Sequence, residues 1–203
     1  MGRIDSIEQH TNTKFLNFYT FRGENGKGVP FTYYVSSRAK KIEDLKVNSG
    51  LDHTDAVSIY SLYGENKDKV VLVKQYRVPI NTYIYEFPAG LCEEGEDFKE
   101  AAKREMYEET GLKFEAFDDI DPMYETQRYT TVGMTDESIK TVYGYAYGTP
   151  TSAHEEASEE IEVVIADKDE VRRILKEENV AIMCAYQLMH FLSDDRPFGF
   201  LGK

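Results

Sequence analysis

The sequence predicts an α/β (α+β) protein: a mixed β-sheet covered by helices, with a β-hairpin arm ahead of it. Three observations point there. Strand-like and helix-like segments alternate too loosely for a doubly wound parallel sheet. Two aromatic and β-branched runs near the start flank an Asn-Gly turn signal. The run 97–110 has helix formers and neither Gly nor Pro. A chain of 203 residues with 41% hydrophobic side chains suits one domain with an appendage, so residues 1–50 are expected to form the arm and 51–203 the principal domain.

Taken in order, Phe15–Arg22 and Val29–Ser37 are the arm's strands, joined across Gly23-Glu24-Asn25-Gly26-Lys27-Gly28. A hairpin of this size buries too little to stand alone, so it is expected to pack on the rest of the chain or on another subunit. After a polar stretch, Ala56–Leu62 and Val70–Tyr76 read as a second strand pair across Gly64–Asp68. Tyr83–Phe87 reads as a strand stopped by Pro88, with Ala89-Gly90 opening a loop. Asp97 is the expected N-cap of a helix ending at Thr110, and Gly111 sits where a left-handed cap is expected. Ser138–Tyr147 and Ile161–Ile165 read as strands, Pro150–Glu160 as an acidic loop, and Lys168–Glu178 and Val180–Leu192 as helices.

Charge narrows the partners. Lys and Arg total 24 against 37 Asp and Glu, and a net charge of −13 repels phosphate backbones, so nucleic acid is not an expected partner. The opening MGRIDSIEQH has no apolar core and no apolar run is long enough to cross a bilayer, so no membrane partner is expected. Cys92 and Cys184 fit no disulfide or zinc spacing, which points to a reducing, cytoplasmic setting.

The chemistry is concentrated on the helix after Asp97. Advancing about 100° per residue puts Phe98, Ala101, Ala102 and Leu112 in one buried sector centred near Phe98. Glu105 and Glu109 fall about 20° to either side of that centre and Glu108 at the sector's edge, while Lys99, Glu100, Lys103 and Tyr107 face outward. A charge run is usually a solvated face, but carboxylates turned inward need a partner. Three of them at i, i+3 and i+4 supply hard oxygen ligands within one helical turn, suited to Mg²⁺ or Mn²⁺. A carbonyl of the Pro88-Ala89-Gly90 turn can complete the shell. Glu96 and Arg104 are placed to clamp loop to helix by an ion pair.

Written out, Gly90, five residues, Glu96, seven residues, then Arg104-Glu105-Met106-Tyr107-Glu108-Glu109-Thr110-Gly111-Leu112 matches the Nudix box at every position. Seven fixed identities make an accidental match on the order of one in a hundred million per start position. The chain thus resembles the Nudix hydrolases. The resemblance implies a helix–sheet–helix sandwich that hydrolyses a nucleoside diphosphate linked to another group, with box glutamates holding Mg²⁺.

Gln75-Tyr76-Arg77 and Tyr85-Glu86-Phe87-Pro88-Ala89-Gly90 are similar to the approach to the box in ADP-ribose pyrophosphatases and related nucleotide-sugar hydrolases. Thr131–Glu137 resembles their post-box loop. Two positions depart: no proline lies about fifteen residues past the box, and Val132 stands where that loop often has proline. The substrate is therefore expected to be ADP-ribose, with a UDP- or GDP-sugar as rival and a non-catalytic ADP-ribose sensor as the reading from another class. An intact box argues against the sensor.

On this basis Glu105, Glu109 and Glu108 are expected metal ligands, with the Ala89 carbonyl implied by resemblance. Glu137, on a loop after Gly133 able to close over substrate, is the first candidate for the base, and Glu108 the second. Arg77 is a candidate phosphate clamp or else a surface ion pair. Arg38 would reach substrate from the arm; Glu86 would accept from an adenine amino group or pair with a neighbouring cation. The chain has 15 Tyr and 11 Phe, so a ring to stack on a nucleobase is available without any one standing out. The arm implies a homodimer.

Overall fold

The computed structural model describes residues 1–50, 53–151, 153–154 and 160–203. Strands run in the order β1 (Arg3–Gln9), β2 (Asn17–Glu24), β3 (Pro30–Ser37), β4 (Ala56–Tyr63), β5 (Lys69–Arg77), β6 (Thr82–Glu86), β7 (Ala89–Leu91), β8 (Lys113–Ala116), β9 (Arg128–Tyr129), β10 (Ser138–Tyr147) and β11 (Ile161–Ala166). Helices are α1 (Lys46–Ser49), α2 (Phe98–Thr110), α3 (Lys168–Glu177) and α4 (Ile182–Ser193). Of the expected acidic loop 150–160, residues 152 and 155–159 lie outside the described residues, as do 51–52 at the expected domain boundary.

The chain divides into two units, Met1–Asp55 with Gln127–Ile139, and Ala56–Thr126 with Lys140–Lys203. In the first, β2 and β3 pair from Asn17↔Ser37 to Glu24↔Pro30, as the turn signal predicts. Asn25 builds the turn: its side-chain oxygen accepts from the Lys27 and Val29 amides at 2.9 and 3.1 Å, and Gly28 takes the left-handed conformation at φ 76°. The arm is larger than the expected hairpin. β1 adds a third antiparallel strand along β2, and Tyr19, Phe21 and Leu45 form a buried cluster backed by Ile7, Phe31 and Val35. Three strands with a covered face meet the need that a bare hairpin leaves open. The first unit also includes Gln127–Ile139, which the expected division gave to the principal domain.

The second unit holds the mixed sheet, ordered β11-β5-β4-β10-β8, with β6 on β5 and β7 on β4. Side chains alternate across β4. Val57 and Ile59 join Ala101, Ala102 and Met106 of α2 in one core, whereas Tyr60 and Leu62 join Val171 and Ile174 of α3 and Leu188 and Phe191 of α4 in the other. The glutamate helix and the C-terminal helices therefore cover opposite faces. Ala89-Gly90 forms strand rather than loop. Pro88 ends the ladder of β6, but its carbonyl accepts from the Ile59 amide at 2.8 Å and the chain transfers to β4, pairing Ser58↔Ala89 and Val57↔Gly90. No helix among the described residues is long and apolar enough to cross a membrane.

Candidate active site

Local chemistry sets α2 in place. The Asp97 carboxylate accepts from the Lys99 and Glu100 amides at 2.9 and 3.3 Å, and Gly111 closes the helix at φ 67°. Such an N-cap contributes about 1 kcal/mol. The buried stripe runs through Ala101, Ala102, Met106, Glu109 and Thr110, and Phe98 is only half-buried beneath the Lys140 ammonium, 4.1 Å from its ring centre. The buried centre is thus rotated from Phe98 toward Ala102 and Met106, because the helix seats on Val57, Ile59 and Phe114. Lys99, expected to face outward, instead donates to the Phe117 carbonyl at 2.8 Å and pairs with Glu125 at 2.7 Å.

This rotation separates the three acids. Glu109 is 3% exposed and accepts from the Ala89 amide at 3.0 Å. Glu105 stands over Gly90 so closely that a Cβ built there would lie 1.9 Å from the carboxyl carbon, so the glycine at this strand position is what admits the carboxylate. Glu108 is the most exposed of the three.

Arg104 ties two of them, Glu105 and Glu108, to Glu96. Its Nε and Nη2 donate to both Glu96 oxygens at 3.0 and 2.9 Å, in the expected clamp, and Nη2 also donates to the Leu91 carbonyl at 2.9 Å. Its Nη1 donates to Glu105 at 2.7 Å and to Glu108 at 3.0 Å. The hydrogen bonds to Glu96 foremost raise the Arg104 pKa, and they hold the Glu96 carboxyl below its ordinary value.

With Arg104 seated among them, the carboxylates do not close into a shell, and among the described residues no three His, Cys, Asp or Glu side chains are gathered to hold an ion. The donor set nevertheless fits a hard divalent cation. It offers only oxygens, on one helical turn beside a strand backbone made approachable by Gly90, and the guanidinium already marks the place where positive charge is bound.

The remaining candidates meet in pairs. In the second unit Arg77 Nε donates to Glu86 at 2.7 Å, which realises the ion-pair alternative for both. In the first unit Arg38 donates through Nε to Glu137 at 2.8 Å and Nη2 lies 2.7 Å from the same oxygen, while the Thr130 hydroxyl donates to the other oxygen at 3.2 Å. The loop after Gly133 is tied to β3: the Tyr33 hydroxyl donates to the Gly133 carbonyl at 2.8 Å, and the Ser36 amide to the Met134 carbonyl at 2.9 Å.

Sequence reasoning missed Lys46. This buried lysine pairs with Asp55 at 2.8 Å and donates to the Ser138 hydroxyl and the His53 carbonyl, both at 2.9 Å. No local signal marks it, since Lys46 lies in a polar stretch and its partners are 7 to 92 positions away.

Comparison with known proteins agrees with the box. The NUDIX domain family model matches residues 52–185. The chain is 48% identical over 97 residues to a mouse ADP-sugar pyrophosphatase, an alignment covering 44% of each protein. It is 33% identical over 105 residues to a Bacillus subtilis ADP-ribose pyrophosphatase, covering 48% of this chain and 53% of that one. A Bacillus methanolicus methanol dehydrogenase activator shares 38% identity over 82 residues, 37% of this chain and 43% of its own length. The chain thus spans about half the length of the curated relatives it matches. The crystal structure of an ADP compounds hydrolase superposes with a TM-score of 0.66 at 17% identity, covering 95% of this chain and 92% of that one, and so shares the fold. With the box complete on β7 and α2 and the family model matched across most of the chain, this protein belongs to the Nudix family.

Proposed function

We propose that this chain hydrolyses the diphosphate of ADP-ribose to AMP and ribose 5-phosphate, or that of a related nucleoside diphosphate sugar to the matching nucleoside monophosphate and sugar phosphate, using Mg²⁺ with Mn²⁺ as substitute. The observation that carries this reading is the placement of Glu105 and Glu109 against the Ala89-Gly90 backbone, where Glu105 fits only because residue 90 has no Cβ. The names of the mouse and Bacillus subtilis relatives support the substrate class.

Glu105, Glu108, Glu109 and the Ala89 carbonyl would hold the cation. When bound, it supplies charge neutralisation for the diphosphate and activation of the attacking water. The chain's own residues do the positioning. The Ala89 amide fixes the Glu109 carboxylate, and Arg104 restrains Glu105 and Glu108 from a single guanidinium. Arg77 binds a phosphate through its terminal nitrogens while Glu86 holds its Nε. Glu137, which Arg38 holds at 2.8 Å, is the first candidate to take the proton of the attacking water. Glu108, more exposed than Glu105 and Glu109, is the alternative base. In-line displacement at phosphorus needs such positioning and charge stabilisation rather than a covalent nucleophile.

The deciding experiment is a panel of ADP-ribose, UDP-sugars and GDP-sugars with Mg²⁺, scored by released nucleoside monophosphate. Preferred release of AMP from ADP-ribose is expected. Equal or faster turnover of a UDP- or GDP-sugar overturns the substrate, and binding without turnover of any member supports a sensor.

We further place the chain in the cytoplasm, because a reducing compartment suits the Cys92 and Cys184 thiols, and as a homodimer through the arm, whose Phe18 and Tyr34 rings stack at 5.9 Å on an exposed surface. A monomeric mass by light scattering at micromolar concentration contradicts the dimer.

A further inference from the structure

Glu137 stands on the shoulder of a hairpin in the first unit. Tyr129 and Arg128 of β9 pair with Ser138 and Ile139 of β10, and the Thr130 amide donates to the Glu137 carbonyl at 3.1 Å. The Met134 and Thr135 amides both donate to the Thr131 carbonyl, at 2.8 and 3.0 Å, so residues 131–136 form a turned tip. Apolar burial does not hold that tip in place, because Val132 and Met134 are 69% and 67% exposed.

Polar bonds to the outer edge of β3 hold it instead. In the order β1-β2-β3, strand β3 lies at the edge of its sheet. Phe18, opposite Ser36, accepts from the His10 amide and donates to the Thr11 hydroxyl, both at 2.8 Å, so the Ser36 amide faces away from β2. That amide and the Ser36 hydroxyl both donate to the Met134 carbonyl, at 2.9 and 3.1 Å, and Ser36 and Thr135 form a parallel bridge. The Tyr33 hydroxyl donates to the Gly133 carbonyl at 2.8 Å and Arg38 to the Glu137 carboxylate at 2.8 Å. Residues 33, 36 and 38 thus meet 133, 134 and 137 in the same order, as two parallel segments do.

We propose that Tyr33 and Ser36 are positioning residues: they dock the hairpin tip on β3 as a short fourth strand of the arm and so fix where Glu137 stands. The link to Glu137 is short. Its amide donates to the Thr135 hydroxyl at 3.2 Å, one residue pair beyond the bridge to Ser36, so a shift of the tip passes straight to the carboxylate. In consequence the segment 131–137 moves with the arm and not as a free lid. The catalytic half of this inference rests on the reading of Glu137 as the base; the docking half does not.

Hydrogen exchange of the Ser36 amide, followed by NMR on the full chain, reads docking without catalysis. It should be slower than in the unfolded chain, and Tyr33→Phe should cut the protection about 2- to 12-fold, the span of one neutral hydrogen bond, while amides bonded between β2 and β3 keep theirs. Turnover of ADP-ribose reads positioning. Tyr33→Phe/Ser36→Pro, whose proline removes an amide that β2 does not use, should lower kcat at least about 3-fold, part of the about 100-fold that a placed base contributes, with Mg²⁺ half-activation unchanged. Added to Glu137→Gln, the same pair should lower kcat no further, whereas general damage to the fold would add in full. If the proline variant misfolds, Tyr33→Phe, on a ring 45% exposed, carries both readouts alone. Docking is overturned if the Ser36 amide exchanges as in the unfolded chain, or keeps its protection in Tyr33→Phe. Positioning is overturned if the variants turn over as wild type or their losses add to that of Glu137→Gln. Wild-type turnover by Glu137→Gln itself sinks the base assignment and the catalytic half with it, and the exchange result still decides docking.

Discussion

Gly90→Ala isolates the geometry of the candidate metal site from the stability of the fold. The Gly90 backbone lies outside the left-handed region, so alanine meets no torsional penalty, and restricting the unfolded chain even favours folding by about 0.4–1 kcal/mol. The added methyl, however, would lie 1.9 Å from the Glu105 carboxyl carbon and 2.1 Å from both of its oxygens. Ordinary contact begins near 3.4 Å, so the carboxyl must retreat by about 1.5 Å. The obstacle is the far end of a flexible side chain, so Glu105 yields rather than the strand, and its 2.7 Å bond to Arg104 is lost. A displacement of that size in a positioned ligand costs about 100-fold in rate, or about 2.7 kcal/mol in the barrier. The assay is AMP release from ADP-ribose across a Mg²⁺ series, paired with thermal unfolding. Turnover should fall about 100-fold, half-activation should need more Mg²⁺, and the melting temperature should stay within a few degrees. Wild-type turnover with an unchanged Mg²⁺ profile would refute both the crowding argument and Glu105 as a ligand.

Glu109→Gln keeps shape and the bond from the Ala89 amide while removing charge, so most activity should vanish with the fold intact; wild-type rates would sink Glu109 as a ligand. Glu137→Gln should lower kcat without changing Mg²⁺ half-activation, and an unchanged kcat moves the base to Glu108. Arg104→Met removes the clamp on Glu96, Glu105 and Glu108, with an expected loss of about 2 kcal/mol that added Mg²⁺ partly restores. Because Glu96 has its folded pKa depressed, chiefly by hydrogen bonds from Arg104, its contribution is present above the ordinary value of 4.5 and is lost as pH falls through the folded value. Wild type should therefore lose more melting temperature below that pH than Arg104→Met does, and parallel curves would contradict the clamp. Lys46→Met removes the only cation paired with Asp55 among the described residues, leaving it the Ser138 amide and hydroxyl, and should cost about 3 kcal/mol in urea unfolding; a change under about 1 kcal/mol would show the pair to be dispensable.

Helix α2 was legible almost to the residue, because its start, end and the spacing of its acids are local: Asp97 caps amides two and three positions on, and Gly111 supplies a left-handed turn. The wheel placed the acids toward the core but centred the buried stripe on Phe98, since it could not know which strands the helix would meet. Likewise β1 carries alternation too weak to announce a strand, and forms because β2 presents an edge to it. Arg38 and Glu137 were each singled out, but their pairing spans 99 positions and follows only from β3 and the Gly133 loop lying side by side.

What the sequence determined by itself is a local pattern: carboxylates at i, i+3 and i+4, a capped helix to carry them and a glycine shortly before it, all governed by interactions within a few residues. Tertiary structure alone decided how each group is used. Glu109 is buried on the Ala89 amide, Glu105 rests in the space Gly90 leaves, and Lys46 is neutralised by Asp55. The reason is that burial and hydrogen bonding depend on which distant segments a sheet brings together, and side-chain spacing along one helix does not encode that.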